Sequence, residues 1–475
     1  MFTLFDDKLD AFARQTLADH RRFDGGGWGA QELHERQFAL LRETLRYVKE
    51  GSPFYREHLS ALDDADIEAL TPESLARIPF TTKDDLRREL HNMLSKPVSD
   101  AWIFYETTGT TGRATPCPRD NVDSLVNNTA LTICYDEVFR QHGEDHVVGV
   151  MGPSELHSTG DTFGDVCRNL GHAVAKMWPR SPVIGTKRAL EVMRELSISV
   201  VFCAPNVAIS LAREAIEAGL DPRKDFGVRA FMFTGELATP GLLANIGSIW
   251  GATAYNCLYA SQEASVLGAV HADGRLRTLP LNVLYEVVDP ETGEAAPTHE
   301  GVREGELVLT HLYQGSKPLV RYRTGDMVRL SAAGEQDAYP SEVMLPLGRV
   351  RDLIDLNGHR VSAYELEHTV LSHTAGVLDY QITIDRVASV DTLAVKLEIP
   401  AGAPDGQEAR AAALAEAAQL AWGCPLEVSY GRPGGVTATG AMVSWKAARV
   451  HDLRQSVVDP ERQAALAIVA ARGDR

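Results

Sequence analysis

The stretch from residue 107 to residue 116 reads TTGTTGRATP and follows the apolar run AWIFY, with Glu106 between them. It combines two glycines, five threonines and one arginine. Glycines permit backbone conformations in which successive N–H groups converge on an anion, and threonine hydroxyls add further donors. The segment lacks the GxxxxGK[ST] pattern of the common phosphate loop. Two interpretations therefore stay open for these residues alone: a phosphate-binding loop or a flexible surface loop.

The charge balance of the chain limits its partners. Of its 475 residues, 65 are acidic and 47 are basic, which gives a formal net charge of -18. This balance argues against nucleic acid or an anionic membrane as the main partner. An anionic ligand would instead need a local cluster of cations. The length predicts two or more domains, and the hydrophobic content of 44% is typical of a globular protein.

The N-terminal sequence and the cysteines give further expectations. MFTLFDDKLDAFARQ lacks a basic region and a long apolar run, and no stretch approaches the ~18 apolar residues of a membrane span. We therefore expect a cytoplasmic protein with no membrane partner. The cysteines show no CxxC pattern, so we expect buried reduced thiols and no zinc site. They are Cys117, Cys134, Cys167, Cys203, Cys257 and Cys424.

The pattern of apolar runs predicts an α/β fold. Between residues 145 and 260, strand-like runs such as VVGVMG and SVVFCA alternate with helical segments such as ALEVMREL, which favours a largely parallel sheet. Residues 276–345 are strand-rich with turn signals and predict a β-rich subregion. Beyond Gly348 the sequence predicts a smaller α+β segment. We therefore predict a large N-terminal domain over residues 1–347 and a C-terminal domain over residues 348–475.

Six segments occur in a fixed order along the chain. They are TTGTTGRATP, FTGEL (233–237), LYASQE (258–263), RYRTGD (321–326), GRVRDLIDLNGHRV (348–361) and WKAARVHDLR (445–454). This ordered set resembles the adenylate-forming enzymes, the acyl-CoA synthetase/ligase superfamily, and most closely the phenylacetate–coenzyme A ligase family. SPFYREHL, IPFTTKDDLR and DYQITIDR add to the resemblance, which covers residues 40–455.

The resemblance implies a two-step reaction. A carboxylate attacks the α-phosphate of Mg-ATP to give an acyl-adenylate and pyrophosphate, and the thiol of coenzyme A then displaces AMP. ATP, Mg²⁺ and coenzyme A are the implied cofactors, a small carboxylic acid is the implied partner, and a homodimer would be unsurprising. The C-terminal domain would be a mobile lid hinged near Arg351, where the family commonly has aspartate.

The resemblance also assigns residues to the nucleotide. Glu263 would bind Mg²⁺, Asp326 would accept hydrogen bonds from the ribose hydroxyls, and Arg349 would lie over the nucleotide. Taken alone, FTGEL is equally a strand-to-helix turn, and Glu263 is equally a solvated charge. The remaining assignments are a phosphate clamp of Thr107, Thr108, Gly109, Thr110, Thr111, Gly112 and Arg113, an adenine-edge segment of Gly235 and Glu236, adenine stacking by Tyr259, and a polar contribution from Ser261 or Gln262 in place of the usual threonine.

Lys446 is the catalytic candidate. A lysine on the lid would bridge the carboxylate substrate and the α-phosphate and offset the charge that builds during attack. Arg113, Arg323 and Arg349 would complete the cation cluster that the acidic chain requires. Trp445 stands where the family usually has glycine, and a surface lysine remains the alternative interpretation. NGHRV, with Gly358 at its turn, would form a hairpin used in the second half-reaction.

The acyl pocket is expected near GPSELHSTGDTFG, with His157, Thr159 and Phe163 as its lining. The polar residues of this loop suggest hydroxyl or amino substituents on an aromatic acid of specialised metabolism, although His157 is equally an exposed loop residue. Transfer to coenzyme A is the leading hypothesis for the second step. A carrier-protein thiol, an amine or nitrite, the last as in diazo-forming relatives, are alternative acceptors. A non-catalytic nucleotide-binding protein is the third class.

Overall fold

The computed structural model describes residues 6–107, 114–400, 406–434, 436, 445–454, 462–464, 466, 467 and 470. Residues 108–113 of the predicted phosphate clamp lie outside this set. The chain forms two compact units. Unit 1 contains Met1–Glu144, Pro153–His172 and Leu258–Leu345, and unit 2 contains Asp145–Gly152, Ala173–Cys257 and Pro346–Arg475. The predicted boundary between functional domains near residue 348 stays a prediction.

Helices and strands alternate through much of the chain. The α-helices are α1 (Asp7–Asp24), α2 (Ala30–Gly51), α3 (Pro53–His58), α4 (Asp64–Glu68), α5 (Lys83–Glu89), α6 (Asn121–Arg140), α7 (Thr159–Asn169), α8 (Gly185–Glu195), α9 (Pro205–Glu217), α10 (Pro240–Trp250), α11 (Ala363–Ser372), α12 (Gln407–Trp422) and α13 (Trp445–Arg449). Short 3₁₀ helices cover Pro72–Arg77, Leu90–Met93, Val98–Asp100 and Val350–Asp352.

The strands form five sheets. They are β1 (Ile103–Glu106), β2 (Pro116–Arg119), β3 (Val147–Met151), β4 (Ala173–Lys176), β5 (Val200–Cys203), β6 (Ala230–Phe233), β7 (Thr253–Asn256), β8 (Leu258–Ser261), β9 (Ser265–Val270), β10 (Leu276–Thr278), β11 (Val283–Val288), β12 (Val302–His311), β13 (Tyr322–Ser331), β14 (Val343–Arg349), β15 (Ile354–Leu356), β16 (His359–Val361), β17 (Asp379–Val387), β18 (Val390–Glu398), β19 (Leu426–Tyr430) and β20 (Val450–Asp452). No helix in the described part of the chain combines the length and the apolar character needed to cross a bilayer.

Unit 1 is built around an antiparallel sheet. Its seven strands have the order β11-β12-β13-β14-β10-β9-β8, which confirms the β-rich subregion predicted over residues 276–345. The core joins this sheet to the N-terminal helices. Leu41 and Leu45 of α2 are fully buried in one cluster with Leu309 and Val328 of the sheet. Residues of the sheet and of the helical layer are thereby fixed in one unit.

Unit 2 is built around a parallel sheet. Its five strands have the order β4-β3-β5-β6-β7, and every neighbouring pair is parallel, as the alternating sequence predicts. Val201 and Phe231 are fully buried in its core. The C-terminal segment adds a four-stranded sheet of order β19-β18-β17-β20. All six cysteines are buried and none forms a disulfide.

Two local features join the parts of unit 2. α10 and α11 pack closely at Gly241, where an added Cβ would lie 2.8 Å from Leu371, so only glycine permits this approach. The β15–β16 hairpin turns at Asn357 and Gly358, with φ of 51° and 85°. This Asn-Gly pair suits a turn that needs positive φ at both residues. The Asn357 side-chain oxygen accepts a hydrogen bond of 2.7 Å from the Asp391 N–H, and Asp391 Oδ2 accepts one of 2.9 Å from the Asn357 N–H.

A buried ion cluster also connects α9 to the C-terminal segment. The Arg213 guanidinium on α9 donates to Asp379 Oδ2 at 3.0 Å and to Glu398 Oε2 at 2.6 Å. Arg449 on α13 donates to the other Asp379 oxygen, Oδ1. All four side chains are at least 86% buried, since their exposed fractions are 5–14%. Removing one charge would therefore leave its partners uncompensated.

We expect Arg213→Met to destabilise the protein by about 3–5 kcal/mol, because Asp379 and Glu398 would lose a buried counter-ion. Chemical denaturation followed by circular dichroism measures this change. Arg188→Met is the matched control, since Arg188 pairs with Glu191 and Glu195 on the exposed surface of α8 and should have little effect. Equal midpoints for the two variants would contradict the importance of the buried cluster.

Candidate functional site

Glu263 is a buried carboxylate in unit 1. It is 5% exposed, and its Oε1 atom lies 3.1 Å from the Lys83 ammonium and accepts a hydrogen bond of 3.1 Å from the Tyr322 hydroxyl. Burial raises the pKa of Glu263, but Lys83 and Lys317 outweigh that effect and hold the pKa below its ordinary value. The alternative of a solvated surface charge is therefore wrong. Glu263 is an anion held inside the protein by neighbouring cations.

Asp326 lies in a bulge of β13 rather than in a turn between strands. Between the pairs Val308–Arg323 and Glu306–Met327 the two strands lose register, and Gly325 adopts a φ of 75°. The Thr324 hydroxyl stabilises the bulge, since it donates to Leu307 O at 2.9 Å and accepts from the Asp326 N–H at 3.1 Å. Bulges of this kind re-aim a side chain and are common near active sites.

Tyr259 is bonded to Asp326 and lies near enough to Glu263 to feel its charge. Its hydroxyl donates a hydrogen bond of 2.7 Å to Asp326 Oδ2. Burial raises the pKa of Tyr259 well above its ordinary value, and the negative charges of Asp326 and Glu263 raise it further. The hydroxyl is therefore a permanent donor that fixes the Asp326 carboxylate. The structure thus brings Tyr259, Glu263 and Asp326 into one group.

The predicted cation Arg323 is paired within the sheet, and two other cations lie beside Glu263. Arg323 is bound by Glu306 and by Pro290 O, so its charge is already used within the sheet. Lys83 and Lys317 are the cations beside Glu263. Lys317 is 2% exposed and donates to Pro116 O at 2.9 Å. Neither lysine is predicted from the sequence, although Lys83 lies in IPFTTKDDLR, a segment that adds to the resemblance.

Ser261 and Gln262 have different local roles. The Ser261 hydroxyl accepts from the Ala264 N–H at 3.1 Å and closes the turn before β9. Gln262 accepts a hydrogen bond of 3.0 Å from the Ser158 hydroxyl, and its backbone carbonyl accepts from buried Arg119. Its buried Nε2 group has no hydrogen-bond partner among the described residues. Gln262 therefore links LYASQE to the predicted acyl loop.

The predicted acyl-pocket residues occupy the start of α7. His157 Nδ1 lies 2.9 Å from the Thr159 hydroxyl, and burial lowers the pKa of His157, so the imidazole is neutral at neutral pH. His157 is half-buried, and the choice between a pocket residue and a loop residue stays open. Phe163 is 1% exposed in the core of the unit. Nearby, the Tyr105 hydroxyl donates to Asp161 Oδ2 at 3.0 Å. The role of His157, Thr159 and Phe163 in binding an acid stays a prediction.

The predicted adenine-edge segment lies in unit 2, after β6. Gly235 is exposed and has a φ of 83°, a conformation that glycine adopts without strain. Glu236 Oε2 accepts from the Asn206 N–H at the start of α9 at 3.2 Å. Burial raises the pKa of Glu236 above its ordinary value, although Arg449 opposes this. The carboxylate thus caps α9, which is a structural task beside the predicted one.

Lys446 lies on the short helix α13 of unit 2, and Trp445 positions that helix. The indole N–H of Trp445 donates to Glu367 Oε2 at 2.9 Å, and Glu367 Oε1 accepts from the Thr239 hydroxyl at 2.8 Å. The tryptophan that replaces the usual glycine is therefore an anchor. Lys446 itself is half-buried. Burial raises the pKa of Asp452, but Arg454, with a smaller contribution from Lys446, lowers it below its ordinary value.

The hinge segment follows β14. Arg349 is exposed at the end of that strand, and Arg351 and Asp352 form a 3₁₀ turn with Val350. The Arg351 guanidinium is 4.0 Å from the Asp352 carboxylate, which is buried. Of the predicted phosphate clamp, only Thr107 is described, and its hydroxyl accepts from the Thr115 N–H at 2.9 Å. Thr108, Gly109, Thr110, Thr111, Gly112 and Arg113 lie outside the described residues.

Comparison with known proteins adds an independent observation. No family model matches the chain. The phenylacetate-coenzyme A ligase of Pseudomonas putida is 26% identical over 385 residues, which cover 78% of this chain and 82% of that protein. The enzyme of the same name from Thermus thermophilus is 28% identical over 382 residues, again 78% and 82%. The chain is related to the phenylacetate–coenzyme A ligases.

Comparison with solved structures confirms the fold of this chain. A 2-hydroxyisobutyryl-CoA ligase in the postadenylation state superposes with a TM-score of 0.74 at 20% identity and covers 96% of this chain and 94% of its own. The recognised resemblance, the α/β fold class and the ligase-like enzyme class are confirmed. The roles of individual residues stay predictions.

We expect the stability of the Lys83→Met variant to fall as pH rises from about 5 to about 8. Without the ammonium, burial dominates and the pKa of Glu263 rises above its unfolded value of 4.5, so ionisation opposes folding. In the unaltered protein the pKa of Glu263 is below that value, and the carboxylate contributes no such slope in this range. Urea unfolding at several pH values measures the difference, and Lys83→Arg is the control. Identical slopes for Lys83→Met and Lys83→Arg would show that Lys83 does not stabilise the buried anion.

Proposed function

We propose that the chain catalyses the ATP-dependent, AMP-forming activation of a small carboxylic acid and then transfers the acyl group to coenzyme A. The observation that carries this proposal is the group formed by Tyr259, Glu263 and Asp326, which the resemblance assigned to one nucleotide and which the fold brings together from two separate segments, LYASQE and RYRTGD. The reaction class comes from relatives named phenylacetate-coenzyme A ligase, whose sequences match 78% of this chain.

Asp326 is the proposed ribose ligand. A carboxylate accepts hydrogen bonds through two oxygens, which suits the two hydroxyls of a ribose. The bulge at Gly325 turns Asp326 out of the regular ladder, and the Tyr259 hydroxyl fixes its orientation at 2.7 Å. Preorganisation of this kind reduces the entropy that nucleotide binding would otherwise cost. Tyr259 therefore positions Asp326 in addition to its predicted contact with adenine.

Glu263 fits a ligand of Mg²⁺ in charge and in chemistry. Its carboxylate is held anionic, and oxygen donors of this kind are the ones that Mg²⁺ prefers, together with phosphate oxygens and water. When bound, Mg²⁺ neutralises phosphate charge. Lys83, whose ammonium lies 3.1 Å from Glu263, would then be released toward the phosphates. Lys317 supplies a second buried positive charge at the same place.

Lys446 is the proposed catalytic cation. Its ammonium would stabilise the negative charge that develops as the carboxylate attacks the α-phosphate. Trp445 and Arg449 support this role, because they hold α13 through Glu367 and Asp379 on either side of Lys446. The ammonium is thus carried on a helix whose neighbours are fixed by buried hydrogen bonds.

The proposed cofactors are ATP, Mg²⁺ and coenzyme A. The 2-hydroxyisobutyryl-CoA ligase, which shares the fold, has been solved with 2-HIB-AMP and CoA in the thioesterification state. We propose a substituted aromatic acid as the substrate. Support comes from the Gln262 Nε2 donor, which lacks a partner among the described residues, and from the Ser158 hydroxyl, which donates to the Gln262 side chain. The Thr159 hydroxyl, next to Ser158 in sequence, adds a third polar group.

A panel of hydroxy- and amino-substituted benzoates and phenylacetates, assayed with ATP and Mg²⁺, tests the reaction. We expect AMP release with at least one acid and formation of an acyl-CoA thioester when coenzyme A is present. If coenzyme A does not change AMP release and acyl-adenylate accumulates, the acceptor is not coenzyme A. It would then be another group such as an amine, nitrite or a carrier-protein thiol. Absence of pyrophosphate exchange with every acid would contradict adenylation of this substrate class.

We expect Lys446→Ala to lower acid-dependent pyrophosphate exchange by about 100- to 1000-fold, because the developing charge loses its counter-ion. Folding should be unchanged, since the Lys446 side chain is half-buried and the anchors of α13 are Trp445 and Arg449. Lys187→Ala, which removes an exposed lysine of α8, is the control. Normal exchange in Lys446→Ala would remove the proposed catalytic role.

A further inference from the structure

A second group of ligating side chains lies in unit 1, formed by Asp24, Cys134 and His271. Asp24 ends α1, Cys134 lies in the middle of α6, and His271 follows β9. The His271 Nε2 atom is 3.6 Å from Cys134 Sγ and 3.7 Å from Asp24 Oδ1, and the three ligand atoms all lie within 4.8 Å of one another. We call these residues the Asp-Cys-His cluster.

The separations in the Asp-Cys-His cluster match a tetrahedral metal site. With metal–sulfur and metal–nitrogen bonds of about 2.3 and about 2.0 Å, tetrahedral angles give a sulfur–nitrogen edge of about 3.6 Å and a nitrogen–oxygen edge of about 3.4 Å. The observed 3.6 and 3.7 Å are close to these lengths.

The surroundings of His271 resemble those of a metal-bound histidine. Its other ring nitrogen, Nδ1, lies 3.3 Å from Ala269 O, which favours the tautomer with the proton on Nδ1 and leaves the Nε2 lone pair facing the cluster. His271 and Cys134 are 2% and 5% exposed, and the Tyr339 ring covers the imidazole with its centroid at 4.5 Å. The cluster is therefore screened from bulk water, apart from the partly exposed Asp24 carboxylate.

The charges of the cluster call for a cation. A carboxylate oxygen and a thiol both face the His271 Nε2 atom, at 3.7 and 3.6 Å. This arrangement suits either an additional proton on the imidazole or a metal ion coordinated by all three groups. The metal satisfies all three ligand atoms at once, whereas a single proton on Nε2 must be shared between Cys134 and Asp24.

We propose that Asp24, Cys134 and His271 bind one divalent transition-metal ion, with Zn²⁺ the best fit, and that water completes the coordination. A thiolate and an imidazole select Zn²⁺ over Mg²⁺ or Ca²⁺, which prefer oxygen ligands. The site is structural, because it joins the end of α1 to α6 and to the loop after β9. It is distinct from the proposed Mg²⁺ ligand, Glu263, and does not depend on the proposed enzymatic reaction.

This proposal revises the expectation of no zinc site. That expectation rested on the absence of CxxC spacing, which detects ligands that are close in sequence. Here the three ligands are 110 and 137 residues apart, and only the packing of α1 on α6 brings them together. A site of this kind leaves no local motif to find.

Metal analysis of the full-length protein tests the proposal. After removal of loosely bound metal and equilibration with Zn²⁺, we expect about one zinc per chain by mass spectrometry. Co²⁺ in its place should give the intense near-ultraviolet band of a thiolate-to-cobalt charge transfer and visible bands of tetrahedral coordination. Cys134→Ala should abolish the band and the stoichiometric zinc. Cys167→Ala, which removes another buried thiol on the neighbouring helix α7, should keep both.

A folded, unaltered protein that binds no zinc and shows no cobalt–thiolate band would overturn the proposal, and the cluster would then be a protonated histidine between two acceptors. If Cys134→Ala does not fold, the cobalt spectrum of the unaltered protein still decides, and Asp24→Asn, at the partly exposed end of α1, supplies the second variant. Asp24→Asn should weaken zinc binding at least tenfold. Zinc content unchanged in both variants would also reject this ligand set.

Discussion

The carboxylate of Asp379 is the constraint on which the C-terminal part of unit 2 depends. It is 4% exposed, and two arginines from different elements share it: Arg213 on α9 and Arg449 on α13. A buried charge of this kind is tolerated only when its partners are in place. The position of α13, and with it the position of Lys446 three residues before Arg449, therefore follows from an ion cluster that performs no chemistry itself.

A comparable constraint in unit 1 is the buried anion at Glu263. The sheet supplies Tyr322, and the segments around it supply Lys83 and Lys317, so the anion is balanced before any ligand arrives. The bulge at Gly325 and the Tyr259 hydroxyl then fix Asp326 beside it. Both acidic groups are held by neutral or cationic neighbours, so their charge is partly balanced locally in a chain with a net charge of -18.

The sequence predicted the sheets well, because their signals are local. The alternation of apolar runs and amphipathic helices between residues 145 and 260 corresponds to the parallel sheet β4-β3-β5-β6-β7, and the Asn-Gly turn of the β15–β16 hairpin follows from its two residues. The candidate residues Tyr259, Glu263 and Asp326 were found through ordered motifs.

Tertiary contacts explain what the sequence did not predict. Arg323 was expected beside the nucleotide, but Glu306 on the next strand takes its charge, and no pattern in RYRTGD reveals that partner. Lys317 and Trp445 gain their roles from residues far away in sequence, Pro116 and Glu367. The same holds for Asp24, Cys134 and His271. Local motifs therefore do not reveal which residues balance buried charge, because those partners are distant in sequence.

The close approach of α10 and α11 at Gly241 has a consequence for the evolution of this fold. An added Cβ at residue 241 would collide with the backbone and side chain of Leu371, so the two helices are held at a separation that one missing methyl group defines. In distant homologues, a residue larger than glycine at position 241 should appear only together with a shifted or shortened α11. Covariation of positions 241 and 371 would record the spacing of the two helices more faithfully than either position alone.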